Sequence, residues 1–533
     1  MGALVVSAAI LPALAPTGAA GATFTVFEGP VPVANCHGDP LRETGIQGDV
    51  SAKDRTSGRS QLGYSCNLEL IGHHQGQGAG WQNAWFDHCD YYDTKTGAAT
   101  PPTPTGTGNG QTSPGTQVLD VSDPANPVLT ANLDTPALDG PWESLKVNDK
   151  RKLLAGVGGF GSDGNGPFYF DVYDLSGGCA HPKKLSSAPV DTAVLGHEGN
   201  WSADGMTYYG SSLFTDTVSA IDVSNPANPL PITTFAPAAN QQGVFTHGLS
   251  TSDDGNLLYT TDFASGASNG LIILDTSAIQ SRSPLDKAPP AQVGHVGWTD
   301  GSAAQVPIPM DYNGHKFVLF VDEGSYGASR IIDVNDPANP VVVSKLKLQI
   351  HMPANQATAA ADSTGDGQFT YTGHYCYVDR EHDPTAAACG YFESGIRVFD
   401  IRDPYHPSEI AYFNPGEHGE KGGVLLGSEH SGSTSAPPNM TADWCTSQIR
   451  FYHDPDGYWY LWAQCQDAGF MTLRFTNNVY PLTPLAAPVT FTTGLGASPN
   501  TGAGHGSPAG GLVLIGLAAV AIVLLRVRVA RSS

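Results

Sequence analysis

The segment Leu119-Asp120-Val121-Ser122-Asp123-Pro124-Ala125-Asn126-Pro127 returns almost unchanged at 221–229 and at 332–340, and in degenerate form from Phe399 to Pro407. A chain that reuses one stretch at long intervals repeats one supersecondary unit, and this restricts the fold more than any composition does. Each copy has a local physical meaning. A β-branched run such as Ile331-Ile332-Asp333-Val334 suits a pleated strand, the Asp/Asn-Pro that follows stops it, and an apolar run such as Val341-Val342-Val343 starts the next strand. The unit is a β-hairpin.

Weaker copies lie at Phe170–Ser176 and Leu271–Ser277, and a last strand runs from Phe470 to Phe475. Hairpins are thus expected near 120, 174, 222, 275, 333, 400 and 474, at intervals of roughly 50 to 75 residues, which suits four strands with extended loops. A second element precedes some of them: His197-Glu198-Gly199-Asn200-Trp201-Ser202-Ala203-Asp204-Gly205 and His247 to Gly255, each with Asp-Gly at a hairpin tip. Two hairpins per unit give four antiparallel strands, and a ring of such units leaves no exposed sheet edge. The expected fold is all-β: a β-propeller of seven four-stranded blades over residues 23–491, with six or eight blades as alternatives. Phe24–Val33 is a candidate to complete the last blade.

The repeated segments resemble the LVIVD repeat of bacterial and archaeal extracellular proteins. The resemblance runs over residues 117–475 and implies a propeller-like surface protein. That family has no general assigned activity, so it supplies no catalytic residues.

A chain with 63 Gly and 40 Pro but only 14% charged residues is turn-rich β-protein. A net charge of −24 argues against nucleic acid or an anionic membrane surface as partner, because either requires a basic face. Residues 1–22 read as a signal peptide ending in Ala20-Gly21-Ala22. The Thr/Pro/Gly-rich stretch 94–117 reads as a surface loop, and 492–510 as a stalk. An apolar segment at 511–525 leads into a basic tail at 526–533 carrying Arg526, Arg528 and Arg531, the order of a membrane anchor with its arginines in the cytoplasm. Within the stalk, Ser498-Pro499-Asn500-Thr501-Gly502 resembles the Leu-Pro-x-Thr-Gly sorting signal of Gram-positive surface proteins, with Ser498 in place of leucine. That resemblance implies cleavage between Thr501 and Gly502 and attachment to the cell wall, the alternative to a transmembrane anchor. Eight cysteines in an exported chain are expected to form four disulfides: Cys376 with Cys389, Cys445 with Cys465, and Cys36, Cys66, Cys89 and Cys179 among themselves.

Propeller ligands gather at a mouth of the central channel, so residues at equivalent blade positions carry more weight than any single motif. His197 and His247 occupy the same place in two units, and Glu143, Glu198, His351, Glu429 and His430 are the further candidates for an axial ring of imidazoles and carboxylates. Such a ring suits Cu, Zn, Fe or Mn. It equally suits recognition of an organic ligand, or a packing role in which each His bonds a neighbouring blade. Trp81 to His88 forms an aromatic segment able to stack on a sugar or to fill the core, and Asp362 to Gly367 reads as a turn rather than a Ca²⁺ loop. Gly-x-Ser-x-Gly, Walker, dinucleotide and His-Glu-x-x-His motifs are absent. Two functions follow. One is a cell-surface binding or adhesion module for a protein or envelope glycan. The other is an extracellular metalloenzyme with a transition metal on the axis.

Overall fold

The computed structural model describes residues 25–485 apart from 77, 95–114, 159–168, 190–196, 213–215, 238–245, 264–268, 284–288, 325, 364–368 and 417–442. Seven antiparallel sheets form seven propeller blades. Blades 1 to 5 span residues 83–133, 146–189, 198–235, 249–297 and 302–345, four consecutive strands each. Blade 6 takes four strands from 375–414 and adds Tyr64–Cys66 as a fifth on its outer edge; blade 7 takes three from 450–475 and is completed by Leu68–His74. First strands of successive blades touch, which places them around the axis.

Ring closure therefore comes from Leu68–His74, pairing with Gly469–Phe475, and not from Phe24–Val33. Phe27 instead pairs in parallel with Ser344 on the outer strand of blade 5, and the Val31 N–H donates to the Lys347 carbonyl at 2.8 Å. The physical reason is edge availability. Leu68–His74 already covers the outer edge of blade 7, while blade 5 offers unpaired carbonyls and N–H groups.

The repeated segment has three jobs. In six blades the Asp that ends the third strand (Asp120, Asp174, Asp222, Asp275, Asp333, Asp400) accepts the N–H two residues on, at 2.8–3.0 Å, and so turns the chain. In all seven blades the outer strand then carries a β-bulge at an equivalent place: Thr130, Leu185, Ile232, Val293, Val343, Ile410 and Ile71 are skipped in the ladder. A bulge increases local twist, which a radial sheet needs at its periphery. Finally, the turn docks on the preceding blade. The carbonyls of Pro124, Ala180, Pro226 and Pro404 accept from Thr472, Thr130, Ser186 and Ser344 hydroxyls at 2.5, 2.9, 2.9 and 2.6 Å. Where the preceding blade has Gly72 or Gly294, an added Cβ would lie 2.0 Å from the Pro124 or Pro337 carbonyl oxygen, so only glycine fits.

The core lies between blades. Ile308, Phe317, Leu319 and Ile331 of blade 5 pack on Tyr375, Val378, Ala387 and Phe399 of blade 6 in the largest apolar cluster. All eight cysteines are paired: Cys36–Cys66, Cys89–Cys179, Cys376–Cys389 and Cys445–Cys465. Such pairing suits an oxidising, extracellular environment. The third strand of blade 1 begins at Thr116, inside the stretch expected to be loop; 95–114 lie outside the described residues. Residues 1–22 and 492–533, with Thr501 and Gly502, also lie outside them. Among the described residues no helix is long and apolar enough to cross a membrane.

Candidate metal centre

First strands start at one end of the axis, and the residues just ahead of them converge there. Gln82, His197 and His374 directly precede the first strands of blades 1, 3 and 6, His247 stands two residues before that of blade 4, and Glu143 three before that of blade 2. Gln305 belongs to the first strand of blade 5. Local backbone bonds aim these side chains. The Glu143 N–H donates to the His197 carbonyl, the His197 N–H to the Ser211 carbonyl, and the His374 N–H to the Gly390 carbonyl, at 2.9–3.1 Å. Trp142, the residue before Glu143, holds a left-handed φ of 53°, and its indole centroid lies 4.1 Å from that of the His197 ring.

Glu143 is the hub, and it is buried. Its Oε2 lies 3.1 Å from His197 Nε2 and 3.2 Å from His247 Nε2, and its Oε1 lies 2.8 Å from His374 Nε2 and 3.1 Å from Gln305 Nε2. Burial pulls the Glu143 carboxyl upward, but His247, His197 and His374 outweigh it and hold the group well below the usual carboxylate range. Burial depresses the His247 imidazole well below its ordinary value. His374 moves the other way: Glu143 and Glu323 overcome burial and raise it. The two histidines thus divide the work. The surroundings favour the charged form of His374, against Oε1, and the neutral form of His247, beside Oε2.

The tautomer of His247 decides what Oε2 meets. Its Nδ1 lies 3.2 Å from the Gln305 carbonyl oxygen, which can only accept, so Nδ1 carries the hydrogen and the neutral ring presents a lone pair at Nε2. Oε2, itself an acceptor, can take a hydrogen from His197 Nε2, but towards the His247 lone pair it has none to share. Nearby lie buried atoms without hydrogen-bond partners: His197 Nδ1, Glu198 Oε2, Gln82 Nε2 and Gln305 Oε1. Just inside the cluster, Lys146 Nζ donates to Glu198 at 2.8 Å and Gln82 at 2.5 Å. Burial lowers Lys146 and pushes Glu198 up to about 8. Burial also pushes Glu323, 3.6 Å from His374, up to about 8.

Of the residues singled out in the sequence, the structure gathers Glu143, His197, Glu198 and His247. His351 stands apart. It sits on a 3₁₀ turn, accepts from the Leu348 N–H at Nδ1 and donates to the Tyr371 carbonyl, while burial takes it down to about 3; it is a packing peg. Glu429 and His430 lie outside the described residues. Sequence reasoning missed His374, Gln305, Glu323 and Lys146. For His374 a signal existed, since Gly373-His374-Tyr375 opens a blade as His247-Gly248 does.

The LVIVD repeat family matches residues 115–135, which hold the third and outer strands of blade 1. The chain is a β-propeller that carries an LVIVD repeat. Among solved structures this propeller is similar to the periplasmic gluconolactonase of Pseudomonas aeruginosa (15% identity, 69% of this chain and 93% of that one, TM-score 0.42). It is also similar to Kuenenia stuttgartiensis hydrazine synthase (11%, 77% and 97%, 0.43) and to the Cps50 (Swd1) β-propeller domain of Myceliophteria thermophila (10%, 77% and 100%, 0.45). No curated protein matches.

Proposed function

We propose that this propeller is an extracellular metalloprotein that holds a divalent transition metal on its axis through Glu143 Oε2, His197 Nε2 and His247 Nε2. The observation that carries the reading is the pair of acceptors facing each other at 3.2 Å, a carboxylate oxygen and the lone pair of His247 Nε2. Two lone pairs at that distance repel unless a cation lies between them. The separations of 3.1 and 3.2 Å also suit metal bonds of about 2.1 Å, for which neighbouring ligands of an octahedral ion stand about 3 Å apart.

Two histidines and one carboxylate on one face of an ion leave its other positions open, the pattern of non-haem iron sites, and no thiolate biases the set toward softer metals. All eight cysteines are disulfide-bonded. His374 and Gln305 support the centre by fixing Glu143 Oε1, and the Gln305 carbonyl fixes the His247 tautomer. When bound, the metal supplies Lewis-acid or redox chemistry at its open positions; the protein side chains supply charge balance and orientation. We place the propeller outside the cell, tethered by the segment at 511–525 as a membrane or cell-wall anchor.

The test is elemental analysis of the full chain purified without an affinity metal, beside a His197→Ala, His247→Ala double variant. The expected result is near-stoichiometric Fe, Mn, Cu or Zn in the wild type and none in the variant, with both showing the same cooperative melting in chelator. A wild type that stays metal-free after exposure to each of the four ions overturns the reading.

A further inference from the structure

The axis has a second end. The first strand of blade 2 runs from Lys146 to Asn148 and leads into Asp149; that of blade 6 runs from Tyr375 to Val378 and leads toward Glu381. Since Glu143 and His374 precede those strands, Asp149 and Glu381 mark the opposite mouth of the channel. Both are exposed.

Aromatic rings line this mouth. Trp85 of blade 1 meets Tyr377 of blade 6 edge to face at 5.1 Å, reaching across the first strand of blade 7. From that strand Arg450 lies 4.4 Å from the ring centroid of Trp462, 5.0 Å from Tyr452 and 5.9 Å from Trp85. Trp85, Tyr377, Tyr452 and Arg450 are all half-buried.

Arg450 is the anomaly. Among the described residues no carboxylate lies within ion-pairing distance of it, and its buried Nη1 has no hydrogen-bond partner; the indole Nε1 of Trp462 is likewise buried and unpartnered. A buried Asp90 carboxyl in the same region accepts from the Asn83 and Gln464 amides at 2.9 and 2.6 Å and forms no ion pair with Arg450. Buried guanidinium donors are ordinarily paired, since leaving them unmade costs more than an average hydrogen bond gains. Five donors in a fixed fork among aromatic rings call for a ligand with acceptors and an apolar face.

The surrounding charge selects among such ligands. Asp87, Asp149 and Glu381 are exposed at the rim and the whole chain carries −24, which disfavours an anion. A sugar ring satisfies every requirement at once: its hydroxyls accept from Arg450, others donate to the rim carboxylates, and its C–H face stacks on Trp85 or Tyr452. We infer that this mouth is a binding site for a neutral saccharide, with Trp85 and Tyr452 as stacking platforms and Arg450 as the donor. This assigns the expected envelope-glycan partner a place on the molecule, separate from the metal centre and independent of it.

The experiment titrates the full chain with four neutral hexasaccharides, from β-1,3-glucan, β-1,4-glucan, chitin and α-mannan, and with trigalacturonate, reading tryptophan fluorescence and calorimetric heat. One or more neutral oligomers are expected to bind, unchanged by chelator, with affinity falling at least about tenfold in Trp85→Ala and in Arg450→Lys. Tyr377→Ala, at the rim, gives a second reading where either variant melts early. Absence of binding by all four neutral oligomers, preference for trigalacturonate, or undiminished binding in every variant overturns the inference. Loss of binding on chelation would move the ligand to the metal centre and overturn it too.

Discussion

At the scale of single residues, the site rests on a division of labour that can be measured. Gln305 holds both Glu143, through its amide, and the His247 tautomer, through its carbonyl. Gln305→Ala removes only the first, and orienting partners of this kind are typically worth 10- to 100-fold in metal affinity, so a chelator competition should show a loss of about tenfold with the metal still bound. Away from the axis, Asp49 gives a pH signature. Burial, and secondarily Asp362, push it up to about 7, above the ~4 of an unfolded aspartate. The folded state therefore keeps a proton that the unfolded chain loses, and the stability this provides is complete below about pH 4 and lost as pH rises through 7. Asp49→Asn should gain on the wild type in urea denaturation as pH rises, by on the order of 2 to 3 kcal/mol between pH 5 and pH 8.5. Identical pH profiles would place the proton elsewhere. His197 and His247 were legible in the sequence because they recur in register, and Glu143 because the blade frame put it near them. Gln305 was not, since it lies inside a strand of Ser302–Tyr312 with no mark distinguishing it from its neighbours. His351 misled because a histidine near a blade start can equally bond its own turn.

At the scale of elements, the repeated hairpin was legible as strand, turn and strand, because β-branched runs and Asp-Pro punctuation act within a few residues. What it docks on was not, because that depends on a residue 40 to 348 positions away in sequence. Thr472, Ser186 and Ser344 look unremarkable until their hydroxyls are seen to meet the turn carbonyls of the next blade. Ser344→Ala and Ser186→Ala should each cost about 1 kcal/mol, and the double variant their sum, since separate latches share no partners. Gly294→Ala, which drives a Cβ into the Pro337 carbonyl, should cost more than either serine change, by about 2 kcal/mol or above. Equal losses for all three would mean that the turns float rather than dock.

At the scale of the whole molecule, blade number followed from counting copies, whereas closure did not. The expected closing strand, Phe24–Val33, is as strand-like as the one that closes, and only the competition for free edges separates them. Replacing both Glu69 and Leu70, adjacent paired residues of the closing ladder, by Pro should break it and turn a cooperative melt into a broad one at lower temperature; Val31→Pro, on the blade 5 edge, should leave the melt cooperative. Similar broadening in both would show that the two edges contribute alike.

The closing strand also sets an order of events. Gly72 and Thr472, which meet in blade 7, are 400 residues apart in the chain. During synthesis or export the ring stays open, with one sheet edge bare, until nearly the whole propeller sequence has emerged. Every partly emerged chain is thus unable to finish, and a stop ahead of Gly469–Phe475 abolishes the ring rather than trimming it. The molecule behaves as a clasp: whatever sits on its axis can be enclosed only at the final step.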